Sequence, residues 1–288
     1  MTVHSIRGFI AEASAFFRTA GLGPLAHEAE WLLAHVLGKS RSQLYLDESA
    51  VSAETAVRFR ELVRRRAKGE PLQYLIGETE FFGARFIVGP EVLIPRPETE
   101  SVLQVLIDAV LRKGIAHKPL RIIDFGTGSG CIAVTLARLL PACHVVAVEV
   151  SYSALTIARK NAGLHGVADR IHFVQCHWAQ ALRGRADVLV SNPPYVPTPE
   201  VERLPLDVRC EPRVSLDGGP DGMRDLFQLI QESERLLLPE GFMALECGDG
   251  QVAPLIARAQ AQGNFSRIES ITDLAGRGRG VLFQTMGG

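Results

Sequence analysis

The sequence has 288 residues, 47% hydrophobic and 22% charged, enough for a sizeable core in one large or two smaller domains. A net charge of -1 gives no general attraction to nucleic acid. Five cysteines with no C-x-x-C pair and eight histidines with no H-x-x-x-H spacing exclude a disulfide frame or a metal site as an expectation. Reduced cysteines, no signal-like run in Met1 to Arg7, and no stretch of ~18 apolar residues point to a cytoplasmic protein, expected to be a monomer.

Residues 1–75 read as a small all-α bundle. Ile6, Phe9, Ile10, Ala13, Phe16 and Phe17 recur at helical spacing, and Gly21-Leu22-Gly23-Pro24 breaks that helix. A second helix carries Ala26, Ala29, Trp31, Leu32, Leu33 and Val36, with Gly38 as its stop. Ser40 is placed to cap a short third helix around Leu44, and Ser52 or Ala53 begins a fourth. In the fourth, Val57, Phe59, Leu62 and Val63 are expected inward, and Arg58, Arg60, Glu61, Arg64, Arg65 and Arg66 outward. His27 and His35 read as ordinary helix residues. The Arg64-Arg65-Arg66-Ala67-Lys68 run is either a solvated face or a docking patch for an acidic partner.

Residues 76–95 read as a β-hairpin linker. Two short strands flank Gly83, and the proline-stiffened Val92-Leu93-Ile94-Pro95-Arg96-Pro97 follows. Residues 96–288 form the third segment. Glu98-Thr99-Glu100 opens a helix, and from Leu120 strand and helix alternate. Strands are expected at 120–125, 143–149, 171–175, 187–191 and 242–247, with helices at 132–140 and 154–162. Such alternation predicts an α/β domain with a doubly wound, mostly parallel sheet and helices on both faces. Ligands in such sheets bind at the carboxyl ends of the strands, where the strand order reverses.

Two motifs fall at those ends. Asp124-Phe125-Gly126-Thr127-Gly128-Ser129-Gly130 lies between the first parallel strand and its helix, where glycines let backbone N–H groups approach a ligand. The sixth position of a dinucleotide fingerprint is here Cys131, not glycine. The spacing D-x-G-x-G-x-G resembles motif I of the S-adenosylmethionine-dependent methyltransferases. Glu149 ends the next strand, where a carboxylate can accept both ribose hydroxyls. The second motif is Ser191-Asn192-Pro193-Pro194-Tyr195. Two prolines end the strand 186–190 and hold the acceptors of Asn192 and Pro193 rigid beside an aromatic face. Rigid acceptors beside an aromatic plane suit a planar –NH2 group.

Together the two motifs, with Gly69-Glu70-Pro71-Leu72-Gln73-Tyr74-Leu75-Ile76-Gly77, Glu80-Phe81-Phe82-Gly83, Leu93-Ile94-Pro95-Arg96-Pro97-Glu98-Thr99-Glu100, Glu211-Pro212 and Leu216-Asp217-Gly218-Gly219-Pro220-Asp221-Gly222, resemble the HemK/PrmC family. These are the N5-glutamine methyltransferases of peptide chain release factors, and the resemblance spans nearly the whole chain. It implies a class I S-adenosylmethionine-dependent methyltransferase domain preceded by a helical bundle that recognises substrate. It also implies a cofactor site of Asp124, Gly126, Thr127, Gly128, Ser129, Gly130, Glu149 (ribose), Trp178 (adenine) and Asn192. Asn192, Pro193, Pro194 and Tyr195 would hold the substrate glutamine. Where relatives commonly have Asp before the tryptophan, this chain has His177. Trp178 also reads as helix-start packing.

The resemblance implies transfer of a methyl group from S-adenosylmethionine to the amide nitrogen of a Gly-Gly-Gln glutamine in a class I release factor, leaving S-adenosylhomocysteine. No membrane or direct nucleic-acid partner is expected. A DNA adenine-N6 methyltransferase shares Asn-Pro-Pro-Tyr but needs base flipping and a basic reading surface. The glutamine methyltransferase of a ribosomal protein departs from Ile-Pro-Arg-Pro-Glu-Thr-Glu. A non-catalytic cofactor-binding module would not need the intact Asn-Pro-Pro-Tyr.

Overall fold

A computed structural model describes residues 5–23, 25–46, 51–273 and 275–287. Met1 to His4, part of the stretch read for a signal, and Pro24 of the helix break lie outside the described residues. The chain divides into two units, Met1–Glu78 with Pro205–Cys210, and Thr79–Leu204 with Glu211–Gly288.

Serine caps and glycine stops set the helices of the first unit. Ser5 Oγ accepts from Gly8 N at the start of α1 (Ile6–Thr19). Gly38, at φ 65, ends α2 (Ala26–Leu37) in the left-handed conformation. After α3 (Arg41–Leu46), Ser52 Oγ accepts from Thr55 N and opens α4 (Ala53–Ala67), and α5 (Leu72–Ile76) closes the run. Phe9, Phe17, Leu32, Leu33, Leu44 and Phe59 form the core. Two side chains depart from the expected faces. Val57 is 67% exposed, while Arg66 is buried. Phe59, Val63 and Arg66 lie at i, i+4 and i+7, so Arg66 falls on the apolar stripe and not on the outer face. Its guanidinium is matched there by Glu28 of α2 at 2.5 Å and by Asp207 at 3.4 Å. Arg64 and Arg65 pair at the surface with Glu61 and Glu70. His27 and His35 are exposed.

The second unit begins within β1 (Glu78–Phe81), which pairs in a hairpin with β2 (Ala84–Ile87), turned at Phe82 and Gly83, both with positive φ. Phe81 and Phe86 meet edge to face, 6.0 Å between centroids, and join the unit's main core. The hairpin thus packs as part of this unit, whereas the sequence reading treats it as a linker. Helix α6 (Pro97–Arg112) follows, with proline at its first position.

The sheet is built from β3 (Arg121–Phe125), β4 (His144–Glu149), β5 (Ile171–Gln175), β6 (Ala186–Ser191), β7 (Leu237–Glu246), β8 (Phe265–Thr272) and β9 (Gly278–Thr285). Its order is β5-β4-β3-β6-β7-β9-β8, with β9 antiparallel to both neighbours and the other pairs parallel. The sequence reading covers β3 to β7 but not the β8–β9 pair. Alternate residues feed opposite faces. Ile122, Val145, Val188 and Phe242 pack with α6 and α7 (Cys131–Leu139). Ile123, Val148, Leu189 and Met243 pack on the other face, with α11 (Arg224–Leu236) and α12 (Val252–Gln262). Helix α8 (Tyr152–Leu164) follows β4 and α9 (Thr198–Val201) follows β6, while α10 (Leu206–Arg209) belongs to the first unit. Among the described residues no helix is long and apolar enough to cross a membrane. Strand order reverses between β3 and β6, so a crevice opens at their carboxyl ends.

Candidate active site

Both motifs leave the sheet at that crevice. Phe125 and Ser191 are register partners, and Ser191 Oγ donates to the Phe125 carbonyl at 2.8 Å. The glycine loop and the Asn-Pro-Pro segment therefore start side by side. One cavity is walled by Gly126, Thr127, Gly128, Ser129, Glu149 and Trp178 on one side and by Thr99, Asn192 and Pro194 on another.

The loop after β3 is held from beneath. Asp124 is fully buried and accepts from Thr127 Oγ1 at 2.6 Å and from Ala133 N at 3.2 Å. Burial pushes its carboxyl up to about 7 against these bonds. It lies behind the cavity wall, as does Gly130. A Cβ at Gly130 would stand 3.0 Å from the Ala158 side chain, so glycine there serves helix contact. Gly126 and Gly128 take φ of 66 and 53 and face the cavity.

Glu149 ends β4, and its carboxylate gathers three backbone N–H groups. Its Oε2 accepts from Gly128 N at 3.0 Å, and its Oε1 from Val150 N at 2.8 Å and Ser151 N at 3.0 Å. A carboxylate has about four lone-pair sites, so capacity remains for a ligand hydroxyl.

Trp178 has φ 43, an uncommon left-handed conformation for a large residue. Its indole N–H donates to Asp225 Oδ1 at 3.1 Å, and its ring meets Phe125 edge to face. A Cβ at Gly126 would stand 3.5 Å from that ring. Arg224 binds the other oxygen of Asp225 at 2.8 Å. Arg224 and Asp225 both line the cavity and carry no motif in the sequence. His177 lines it too, and is exposed.

The Asn-Pro-Pro-Tyr segment is fixed from behind. Val196 N donates to Leu216 O and Gly218 N to Val196 O, each at 2.9 Å. Gln251 Nε2 donates to the Tyr195 carbonyl at 2.9 Å. Asn192 and Pro194 reach the cavity wall, whereas Pro193 is buried and Tyr195 turns its hydroxyl to Glu246 at 3.1 Å. Glu246, at the end of β7, also accepts from Thr99 Oγ1 at 2.6 Å. Burial drives its carboxyl up to about 7, with those two hydrogen bonds opposing. Burial, then the nearby Glu246 charge, drives the Tyr195 phenol up as well. Glu246 is absent from the residues picked out in the sequence. The available signal was a charged residue closing an apolar strand.

The donor set fits a cofactor with a ribose and a polar amino-acid end. Glu149 keeps about one free lone pair, the glycine backbone faces the cavity, and the buried Ser129 hydroxyl, on the same wall, has no hydrogen-bond partner.

A doubly wound, mostly parallel sheet with a glycine loop after β3, an acidic residue closing β4 and Asn-Pro-Pro-Tyr after β6 defines a class I methyltransferase, an enzyme that uses a methyl donor. The profile of the PrmC N-terminal domain matches residues 9–77, and that of the methyltransferase small domain residues 103–203. The chain is 40% identical over 280 residues to the release factor glutamine methyltransferase of Moorella thermoacetica, covering 96% of this chain and 98% of that one. It is 43% identical over 248 residues to the protein of the same description from Chlorobaculum tepidum, covering 83% of each. The chain belongs to the release factor glutamine methyltransferase family. The N-terminal domain of human METTL16 superposes with a TM-score of 0.52 at 19% identity, covering 82% of this chain and 84% of that one. A methyltransferase from Pyrococcus furiosus does so at 0.51 and 19% identity, covering 71% and 90%. These two likenesses concern the fold alone.

Proposed function

We propose that this protein transfers a methyl group from S-adenosylmethionine to the side-chain amide nitrogen of the glutamine in a Gly-Gly-Gln loop of class I peptide chain release factors. The Phe125–Ser191 pairing carries the reading, because it starts the glycine loop and Asn192-Pro193-Pro194 beside one cavity. Gly126, Thr127, Gly128 and Ser129 would hold the amino-acid and ribose part of the cofactor, Glu149 the ribose hydroxyls, and Trp178 the adenine side. When bound, the cofactor supplies a methyl already activated by a sulfonium. The chain has to align the nucleophile.

Asn192 Oδ1 and the Pro193 carbonyl each accept one hydrogen of the substrate amide. That orients a nitrogen whose lone pair is delocalised and stabilises the positive charge that develops on it. Positioning of this kind contributes roughly 7–11 kcal/mol when reactants are well aligned. The N-methylated amide cation is acidic enough to lose its proton to water, so no general base is required. The helical unit is the proposed second contact for the protein substrate. The proposed setting is a cytoplasmic monomer.

The test is mass spectrometry of purified release factors after incubation with the protein and S-adenosylmethionine. One added methyl on the Gly-Gly-Gln glutamine, lost with Asn192→Ala, is expected. An unmodified glutamine would overturn the reading.

A further inference from the structure

Three hydrogen bonds join four side chains behind the cavity. Asn192 Nδ2 donates to Thr99 Oγ1 at 3.1 Å, and Thr99 Oγ1 donates to Glu246 Oε2 at 2.6 Å. Tyr195 donates its hydroxyl to Glu246 Oε1 at 3.1 Å. Glu246 is 1% exposed and does not reach the cavity wall, whereas Thr99 and Asn192 do.

Counting protons fixes the direction of the chain. An ionised carboxylate only accepts, and a threonine hydroxyl has one hydrogen. Thr99 commits that hydrogen to Glu246 and offers Asn192 a lone pair. Of the two ends of the Asn192 amide, only the NH2 can meet a lone pair. The other end, Oδ1, has no hydrogen bond among the described residues. Turning the amide over would set two acceptors face to face in a buried site, where an unmatched polar contact is costly.

We infer that Glu246, acting through Thr99, is the positioning residue that holds Asn192 with its carbonyl oxygen toward the substrate amide. The inference rests on the function proposed above. Glu246 touches neither substrate nor cofactor in this scheme. It works as a proton acceptor whose demand passes from α6 to the Asn-Pro-Pro-Tyr segment, while its other oxygen anchors Tyr195.

A protonated Glu246 could donate to Thr99. Thr99 would then be free to donate to Asn192 Oδ1, and the orientation would no longer be fixed. The charged and titratable groups around Glu246 are Glu98 beside Thr99, Arg279 on β9, Tyr195, Cys131 at the start of α7, and its neighbour Cys247. Burial pushes Glu246 up to about 7, Glu98 adds to this, and Arg279 opposes it. The turnover number should therefore fall as pH drops through that value, because acid converts Glu246 to the form that releases Asn192.

The test uses the full chain with S-adenosylmethionine and a release factor, comparing Thr99→Val, Thr99→Ser, Glu246→Gln and Asn192→Ala. Thr99→Val should lower kcat by roughly tenfold or more, a loss of ~1.4 kcal/mol in transition-state stabilisation. Cofactor affinity by calorimetry should stay within about threefold. Thr99→Ser, which keeps the hydroxyl, should restore most of the rate. Glu246→Gln should turn over more slowly and lose the acid limb of kcat. If Thr99→Val does not fold, the rate of Thr99→Ser and the pH profile of Glu246→Gln decide. Wild-type kcat in Thr99→Val, or an unchanged acid limb in Glu246→Gln, with Asn192→Ala inactive, would overturn this inference alone. An active Asn192→Ala would overturn the substrate reading beneath it.

Discussion

Gly222 lies against the carbonyl of Tyr195 with no room for a side chain: a Cβ there would stand 2.2 Å from that oxygen. Gly218 makes the same kind of contact one residue earlier, where a Cβ would be 2.6 Å from the Pro194 carbonyl. Gln251 closes the arrangement, with Nε2 donating to the carbonyls of both Tyr195 and Gly222. The Gly-Gly-Pro-Asp-Gly stretch is therefore a backing for Asn-Pro-Pro-Tyr, backbone on backbone. The active segment has its shape set by glycines remote from the cavity.

Gly222→Ala should displace that segment. The residue has φ 76, so alanine meets both a left-handed backbone and a clash. Gly263, at φ 74 with nothing within 4 Å of an added Cβ, isolates the first cost. Gly263→Ala should cost about 1–2 kcal/mol. Gly222→Ala should cost clearly more in thermal denaturation and should lose methyl transfer. Equal melting shifts in the two variants would mean that the Tyr195 contact gives way freely.

Glu149 makes a graded prediction. Removing it takes the acceptor from Gly128, Val150 and Ser151 as well as from the proposed ribose. Each charge-assisted bond to the ribose is worth about 1.5–3 kcal/mol. Glu149→Ala should weaken S-adenosylmethionine binding by at least that much, and Glu149→Gln, which keeps one acceptor oxygen, by less. Calorimetric titration measures both, and unchanged affinity in Glu149→Ala would remove Glu149 from the site.

How far these features were legible in the sequence depends on their range. The strands β3 to β7 and the glycine loop are local patterns: an apolar run and the residues that end it. Arg66 and Val57 went to the wrong faces because helical period alone does not say where the core stripe stops. Burial of Arg66 also needed Glu28, on a different helix. Thr99 and Glu246 are 147 residues apart, and the hydrogen bond between them exists only once α6 and β7 have packed. Asp225 likewise meets Trp178 across 47 residues. The Asn-Pro-Pro-Tyr segment could be read as a site, but the groups that orient it could not, because no period or spacing joins them.

Glu246 also makes a stability prediction. Its carboxyl is raised from 4.5 to about 7, so between those values the folded chain binds a proton that the unfolded chain has released. Folded stability from this group is present at low pH and lost as pH rises through about 7. Glu246→Gln cannot ionise and escapes the loss. Relative to the wild type, it should gain on the order of 2–3 kcal/mol between about pH 5 and pH 8. Denaturant unfolding at the two pH values checks this. A stability difference that does not change with pH would mean that Glu246 titrates near its ordinary value.

The last prediction concerns which flat –NH2 group enters the site. Asn192 and Pro194 stand on the cavity wall, the prolines fix the backbone there, and Gly218 and Gly222 back the segment closely. A glutamine amide reaches in if its own backbone comes close, which glycines before it allow. Adenine is also flat, but it is larger and has to be turned out of a duplex first, at a cost of a few kcal/mol. The formal charge of -1 offers no compensating attraction to phosphate. In a competition with labelled S-adenosylmethionine, the release factor should take the label, and an adenine-containing oligonucleotide should not. A release factor with asparagine in place of the Gly-Gly-Gln glutamine should also stay unlabelled. Its amide sits one methylene further back, so the nitrogen falls short of the methyl, and a small misplacement of the reacting atoms costs on the order of a hundredfold in rate. Label mainly in the oligonucleotide would make this a nucleic-acid enzyme. Label in the asparagine variant at the rate of the glutamine protein would show that the site does not measure side-chain length.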